Sequence, residues 1–388
     1  MYLLKRLVCI LCVCSVVCSK AQTPAAKTLK VAVFAPIYLD SVFTEDAYRL
    51  GRNNLPRYVL PGLDFYNGVM LAIDSLNTEK IAVEVLVYDS KSLLSPLEVQ
   101  MEDSALQDAS LIIASFNTRD EIKVLADLAL EKKIPLISST YPNDGGITAN
   151  PFFILLNPTL PAHIEGIYKY IHRVFPTNNV IMFRRKGNME DMIQSVFGNM
   201  NKRTSGIPLK YKTVELPDNF SAKEVTDQLD SSRQNIVICG TLDETFGLNL
   251  SKALGSAKNF PAIAVGMPTW DGLRDIGKDI EIVYSTPYNL SRTDKLSSRL
   301  TEKYKTKYAG RPSDMVFKGF ESMYHFTKLL LKYGNGLVSH LSDKEYKLFN
   351  DFDIQPVKFD KQTNTTDYMQ NTKLYFIRKT DGRIKSVN

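Results

Sequence analysis

Residues 111–140 read LIIASFNTRDEIKVLADLALEKKIPLISST. The stretch opens on a short apolar run, 111–115, of the kind that forms a buried strand. The polar turn Ser115-Phe116-Asn117-Thr118 interrupts it, and residues 119–132 then predict a helix. A second apolar run, 134–139, predicts another strand. Strand, helix and strand in immediate succession imply parallel strands joined by a crossover helix.

The same alternation continues in both directions. Upstream, 29–36 is an apolar run ended by Pro36, and 82–89 is a second strand ending on Asp89. Between them, 63–76 places Phe65, Val69, Ala72, Ile73 and Leu76 on one helical face. A helix is expected over 97–106. The segment 40–61 breaks the pattern with Arg, Asn, Tyr and Pro and reads as a surface loop.

A second cycle begins near residue 160. Helices are expected at 161–174, 188–202, 221–230 and 243–254. Strands are expected at 179–183, 210–214, 235–240 and 262–266. Two cycles of buried strands and amphipathic helices predict an α/β chain of two similar lobes, each with a doubly wound parallel sheet. The tail changes character, with a strand at 282–286, helices at 294–308 and 314–333, and short strands at 357–360 and 373–379.

Residues 1–21, MYLLKRLVCILCVCSVVCSKA, read as an export signal. Lys5 and Arg6 precede an apolar run that is too short to span a bilayer, and Ser19-Lys20-Ala21 suits cleavage after Ala21. Lipidation at Cys18 is the weaker reading, because Val16-Val17 precedes it rather than a small residue. Cys9, Cys12, Cys14 and Cys18 all fall in this leader, and only Cys239 follows it, which excludes a disulfide framework.

The 388 residues are 44 % hydrophobic and 23 % charged, ordinary for a globular chain with two well-buried cores. The formal charge of +6 falls to +3 without Lys5, Arg6 and Lys20, too little to argue for nucleic acid. His163, His172, His325 and His340 lack metal-ligand spacing, so no metal is expected. No GxxxxGK[ST] or GxGxxG follows a strand, so no nucleotide cofactor is expected either. There is no GxSxG elbow. A hydrolase would have to use Cys239, with no base near it in sequence.

The loops 115–118 and 138–141 remain. Each follows a strand, and hydroxyls with free amides at a helix start can seat an anion or simply cap the helix.

The order of these segments resembles type I periplasmic solute-binding proteins, the leucine/isoleucine/valine-binding class. The block 111–171 carries most of the likeness, with Lys133-Ile134-Pro135-Leu136-Ile137-Ser138-Ser139-Thr140 and Asn150-Pro151-Phe152-Phe153. Pro61-Gly62-Leu63-Asp64-Phe65-Tyr66-Asn67-Gly68, the helix 313–331 and the closing turn at Asp381-Gly382 add to it.

The resemblance implies two Rossmann-like lobes joined by a three-strand hinge, with a small molecule trapped between them. It implies lobe one at 28–158 plus 285–345 and lobe two at 159–284 plus 346–388. By position it puts Tyr58, Asn117, Thr118, Arg119, Thr140 and Tyr141 on one wall of the cleft. Met189, Thr241, Thr269 and Trp270 fall on the other. It departs from amino-acid-binding members at 266–270, where the stretch reads Gly-Met-Pro-Thr-Trp and the first acid is Asp271. Arg119 and Trp270 would suit an anionic or flat ligand.

The implied protein is periplasmic or secreted, monomeric and non-enzymatic. Its expected partners are a small-molecule ligand and a membrane permease of the ABC type. The alternative is a ligand sensor or cell-envelope scaffold on the same fold.

Overall fold

The computed structural model describes residues 29–387, apart from 45–46, 52–54, 274–275, 277, 290–293, 361 and 363. The expected leader, with Cys18 and the cleavage point after Ala21, lies outside the described residues.

Strands β1 (Leu29–Ala35), β2 (Val83–Asp89), β3 (Leu111–Ala114), β4 (Leu136–Ser138) and β5 (Phe153–Leu155) come first. Strands β6 (Asn179–Arg184), β7 (Tyr211–Glu215), β8 (Asn235–Cys239), β9 (Ala262–Gly266) and β10 (Glu281–Thr286) follow. The tail adds β11 (Ile354–Val357), β12 (Tyr368–Asn371), β13 (Tyr375–Thr380) and β14 (Arg383–Val387). They form two seven-stranded sheets, ordered β11-β12-β5-β4-β3-β1-β2 and β14-β13-β10-β9-β8-β6-β7. Pairing is parallel except at β11–β12, β10–β13 and β13–β14.

The longer helices are α1 (Leu60–Thr78), α2 (Arg119–Lys132), α3 (Leu160–Val174) and α4 (Asn188–Arg203), then α5 (Glu244–Ser256), α6 (Lys295–Tyr308) and α7 (Asp314–Tyr333). They cover both faces of each sheet, which is why the strands read as unbroken apolar runs. In β1, Val31, Val33 and Ala35 enter a core shared with α1 and α7, while Ala32 and Phe34 enter one shared with α2. In β8, Ile236 and Ile238 turn one way and Val237 and Cys239 the other. Helices α1 and α7 touch through glycine. A Cβ on Gly68 would sit 2.1 Å from the Val316 carbonyl oxygen, and one on Gly319 would sit 2.1 Å from that of Phe65. This contact fixes α7 against the first sheet.

The chain passes between the sheets after β5, after β10 and after β12. The first and third of these crossings are tied together by buried amides. Asn371 Nδ2 donates to the Leu156 carbonyl at 3.2 Å, and the Thr159 amide donates to Gln370 Oε1 at 3.1 Å.

The structure corrects the expected placement of the tail. The segment 346–388 was expected in the second lobe, yet β12 pairs with β5 and β11 with β12, both in the first sheet. Only β13 and β14 join the second sheet. Residues Ser285 and Thr286, expected in lobe one, still belong to β10. The helix expected at 97–106 is two short turns, Leu97–Gln100 and Ser104–Gln107. The helix expected at 221–230 shortens to Ala222–Thr226. In the 40–61 segment, a helical turn at Leu39–Val42 and a two-residue ribbon, Phe43–Thr44 with Ala47–Tyr48, punctuate the loop.

Candidate ligand site

Parallel strands leave backbone amides at their carboxyl ends, and those amides attract anions. In the first lobe the protein's own carboxylates take them. Asp89, at the end of β2, accepts from the amides of Ile37 and Tyr38 at 3.0 Å and of Leu39 at 2.7 Å. Glu121, on the first turn of α2, accepts from the amides of Asn117 and Thr118, both at 2.8 Å, and from Thr118 Oγ1 at 3.1 Å. Its other oxygen takes Ser90 Oγ at 3.0 Å and faces Lys91 Nζ at 3.1 Å. Glu121 is buried.

Thr118 is therefore a helix cap whose hydroxyl is spent on Glu121. Arg119 is also used internally, donating from Nε to the Gly145 carbonyl at 2.9 Å. Asn117 Nδ2 reaches the Tyr38 hydroxyl at 3.3 Å, and Tyr38 packs edge-on against exposed Tyr58 with centroids 5.0 Å apart. Those three form a rim. Thr140 shares a hydrogen bond with Ser115 at 3.1 Å, and Tyr141 packs on the α2 core.

Between the lobes lies a cavity of about 470 Å³. The first lobe contributes Pro142, Asn143, Asn157, Tyr288 and Lys318. The second contributes Leu160, His163, Met189, Leu242, Thr269, Asp271 and Ser285. Of the residues expected from sequence, Met189 and Thr269 lie on this wall. Thr269 Oγ1 is buried and finds no hydrogen-bond partner among the described residues.

Two expectations for the second wall are corrected. Trp270 is 1 % exposed and packs in the core beside Gly247 and Gly266, so its ring offers no face to a ligand. Thr241 is equally buried and donates to Glu190 at 2.6 Å. Cys239 is buried in the same core, and burial pushes its thiol up to about 12, which removes it as a nucleophile.

The charged pair on the cavity wall was not foreseen as a pair. Lys318 projects from α7 over the Tyr288 ring, 3.9 Å from its centroid. Asp271 accepts from the Tyr284 hydroxyl at 3.1 Å. Surrounding protein displaces water from the Asp271 carboxyl and raises it above the usual range, although the residue as a whole stays exposed; Lys318 pulls the other way. His163 Nδ1 lies 2.9 Å from Ser285 Oγ, and burial lowers its imidazole to about 3, so it is neutral. One signal could have marked Lys318. It interrupts Val316-Phe317 and Gly319-Phe320, all buried, so its place on the helix faces protein rather than open water.

Two α/β sheets, three crossings and a cavity between them define the architecture. The chain has the type I periplasmic binding protein fold. It is similar in structure to a candidate branched-chain amino acid ABC transporter from Rhodospirillum rubrum, at a TM-score of 0.63 and 13 % identity, over 93 % of this chain and 100 % of the other. A branched-chain amino acid ABC transporter periplasmic ligand-binding protein from Burkholderia xenovorans gives 0.60 and 11 %, over 93 % and 95 %. An ABC transporter substrate-binding protein from Desulfitobacterium hafniense, in complex with Leu, gives 0.57 and 12 %, over 93 % and 100 %. No protein-family model matches the chain. No curated protein matches it in sequence.

Proposed function

We propose that the chain is an exported, non-enzymatic solute-binding protein that closes its two lobes on a small, polar, amino-acid-like molecule. The observation that carries this reading is the interlobe cavity of about 470 Å³, lined from both sides and furnished with one cation and one carboxylate. That volume is ordinary for a small-molecule site. Pro142, Pro158, Met189, Leu242 and Pro268 supply an apolar wall for a side chain. The likeness to substrate-binding proteins of ABC transporters supports delivery to a membrane permease, and the leader at 1–21 supports a periplasmic setting. The protein works as a monomer, without a cofactor, and moves by closure about its three crossings.

Thermal unfolding of the full chain against amino acids, short peptides, sugars, nucleobases and aromatic acids tests this. A ligand bound only by the folded state stabilises by about 2.7 kcal/mol at a hundredfold excess over Kd. Small-angle scattering should then show a smaller radius with the ligand than without it. A folded chain that no class stabilises would remove the transport reading and leave the sensor or scaffold.

A further inference from the structure

We propose that the first lobe carries a second binding site, outside the cleft, for a free medium-chain carboxylate. The site is a hollow between α1, α6 and α7, where Arg299 and Lys303 hold the head of the anion. It shares no lining residue with the interlobe cavity, so it is independent of the solute-binding reading.

Two hollows adjoin α6. The larger, of about 650 Å³, lies against Leu71 and Asp74 of α1. The smaller, of about 290 Å³, reaches Phe320 and Tyr324 of α7. Arg299 and Lys303 line both. Residues four apart share one face of a helix, where like charges repel. Among the described residues neither cation has a hydrogen bond or an ion pair.

The carboxylates beside them are already engaged. Asp74 takes Lys307 Nζ at 2.6 Å. Glu79 takes Lys328 Nζ at 2.7 Å and the Tyr324 hydroxyl at 2.6 Å. Glu302 lines the larger hollow and not the smaller one. The smaller hollow therefore holds two unpaired cations and no unengaged carboxylate. A guanidinium matches a carboxylate with two parallel donors, and a neighbouring ammonium adds a third.

The rest of that hollow is apolar. Leu300 and Phe320 are buried in the core that α1 and α7 share with the first sheet, and Leu296 and Leu348 pack against it half-buried. An inorganic anion would pair the cations and leave this floor wet. An uncharged chain would cover the floor and leave the cations unpaired. A carboxylate with an alkyl chain does both, and each methylene it buries tightens binding about fourfold.

The test is calorimetry on the full chain with octanoate, hexanoate, acetate, 1-octanol and octylammonium. Octanoate should bind at least about fivefold tighter than hexanoate, and its affinity should fall as salt rises. Acetate, octanol and octylammonium should each bind at least about tenfold more weakly than octanoate. The double variant Arg299→Gln, Lys303→Gln should weaken octanoate about tenfold or more and lose the salt dependence. Both side chains are exposed and unpaired, so its unfolding midpoint should match the wild type. Thr78→Trp, at an exposed position lining the same hollow, should block octanoate by filling it. Octanoate bound equally by the double variant places it elsewhere and overturns the site. Octanol or acetate binding as tightly as octanoate overturns the two-part recognition. Absence of octanoate binding overturns the proposal, and sedimentation with phosphatidylglycerol vesicles in that case would make the two cations a membrane contact instead.

Discussion

The hydroxyl of Tyr288 donates to the carbonyl of Ser139 at 2.7 Å, across 149 positions of sequence. The bond joins the crossing after β10 to the segment leaving β4. Tyr288 is 8 % exposed, and its hydroxyl is pushed far above the usual range by burial and, secondarily, by Glu321, so it keeps its proton and can donate it to Ser139. Tyr288→Phe leaves the Ser139 carbonyl buried without that donor. The expected cost is about 1–3 kcal/mol of unfolding free energy, read from urea midpoints at constant slope. An unchanged midpoint would show that water replaces the hydroxyl.

Thr118 tests whether the start of α2 is a cap or a ligand contact. Its hydroxyl and amide both point at Glu121. Thr118→Ala should therefore cost about 0.5–2 kcal/mol of stability, the range for a lost cap, and leave ligand affinity unchanged. Calorimetry on the variant decides it, since a weakened Kd with an intact unfolding midpoint would return Thr118 to the cleft.

Trp270 separates packing from recognition. A Cβ on Gly266 would stand 1.9 Å from Trp270 Cδ2, so the ring lies flat on the backbone of β9 and closes the core against α5. Trp270→Ala should cost about 3–5 kcal/mol through the cavity it leaves. Gly266→Ala should destabilise by a related route, overpacking, at about 1–3 kcal/mol. Denaturation of both variants checks this; a Trp270→Ala chain that keeps its midpoint while losing ligand would contradict the buried assignment.

The fold was legible where burial on both faces turned strands into apolar runs, as in β1, β3 and β8. It was illegible at β12, Tyr368–Asn371, whose residues look like loop. Gln370 and Asn371 are buried there because their amide groups bond the backbone of the first crossing. A polar strand of that kind has no periodic signal, and without it the tail was assigned to the wrong sheet. β5 was hidden by its length of three residues. The site was less legible for a chemical reason. Ser, Thr and Asn after a strand serve equally as caps and as anion seats, and only the position of Glu121 distinguishes the two uses. Asp271 could be flagged as the first acid after β9, but its facing Lys318 across the cavity depends on how the two lobes meet.

His163 gives the protein a defined response to acid. The imidazole is 2 % exposed on α3, bonded to Ser285, and burial lowers it from an ordinary 6.5 to about 3. The unfolded chain takes up a proton there below about pH 6.5, whereas the folded chain does so only near pH 3. In that window the unfolded state binds more protons, so acid favours unfolding. The contribution is complete above pH 6.5 and is lost as pH falls towards 3, at up to about 1.4 kcal/mol per pH unit. His163→Gln removes the titration while keeping a polar group beside Ser285. Between pH 7 and pH 5 the wild type should lose about 2 kcal/mol more than this variant. His325, also buried and lowered, is unchanged in the comparison and cancels. Urea unfolding of both proteins at the two pH values measures the difference, and equal losses would mean that His163 is already protonated, or reached by water, in the folded cleft.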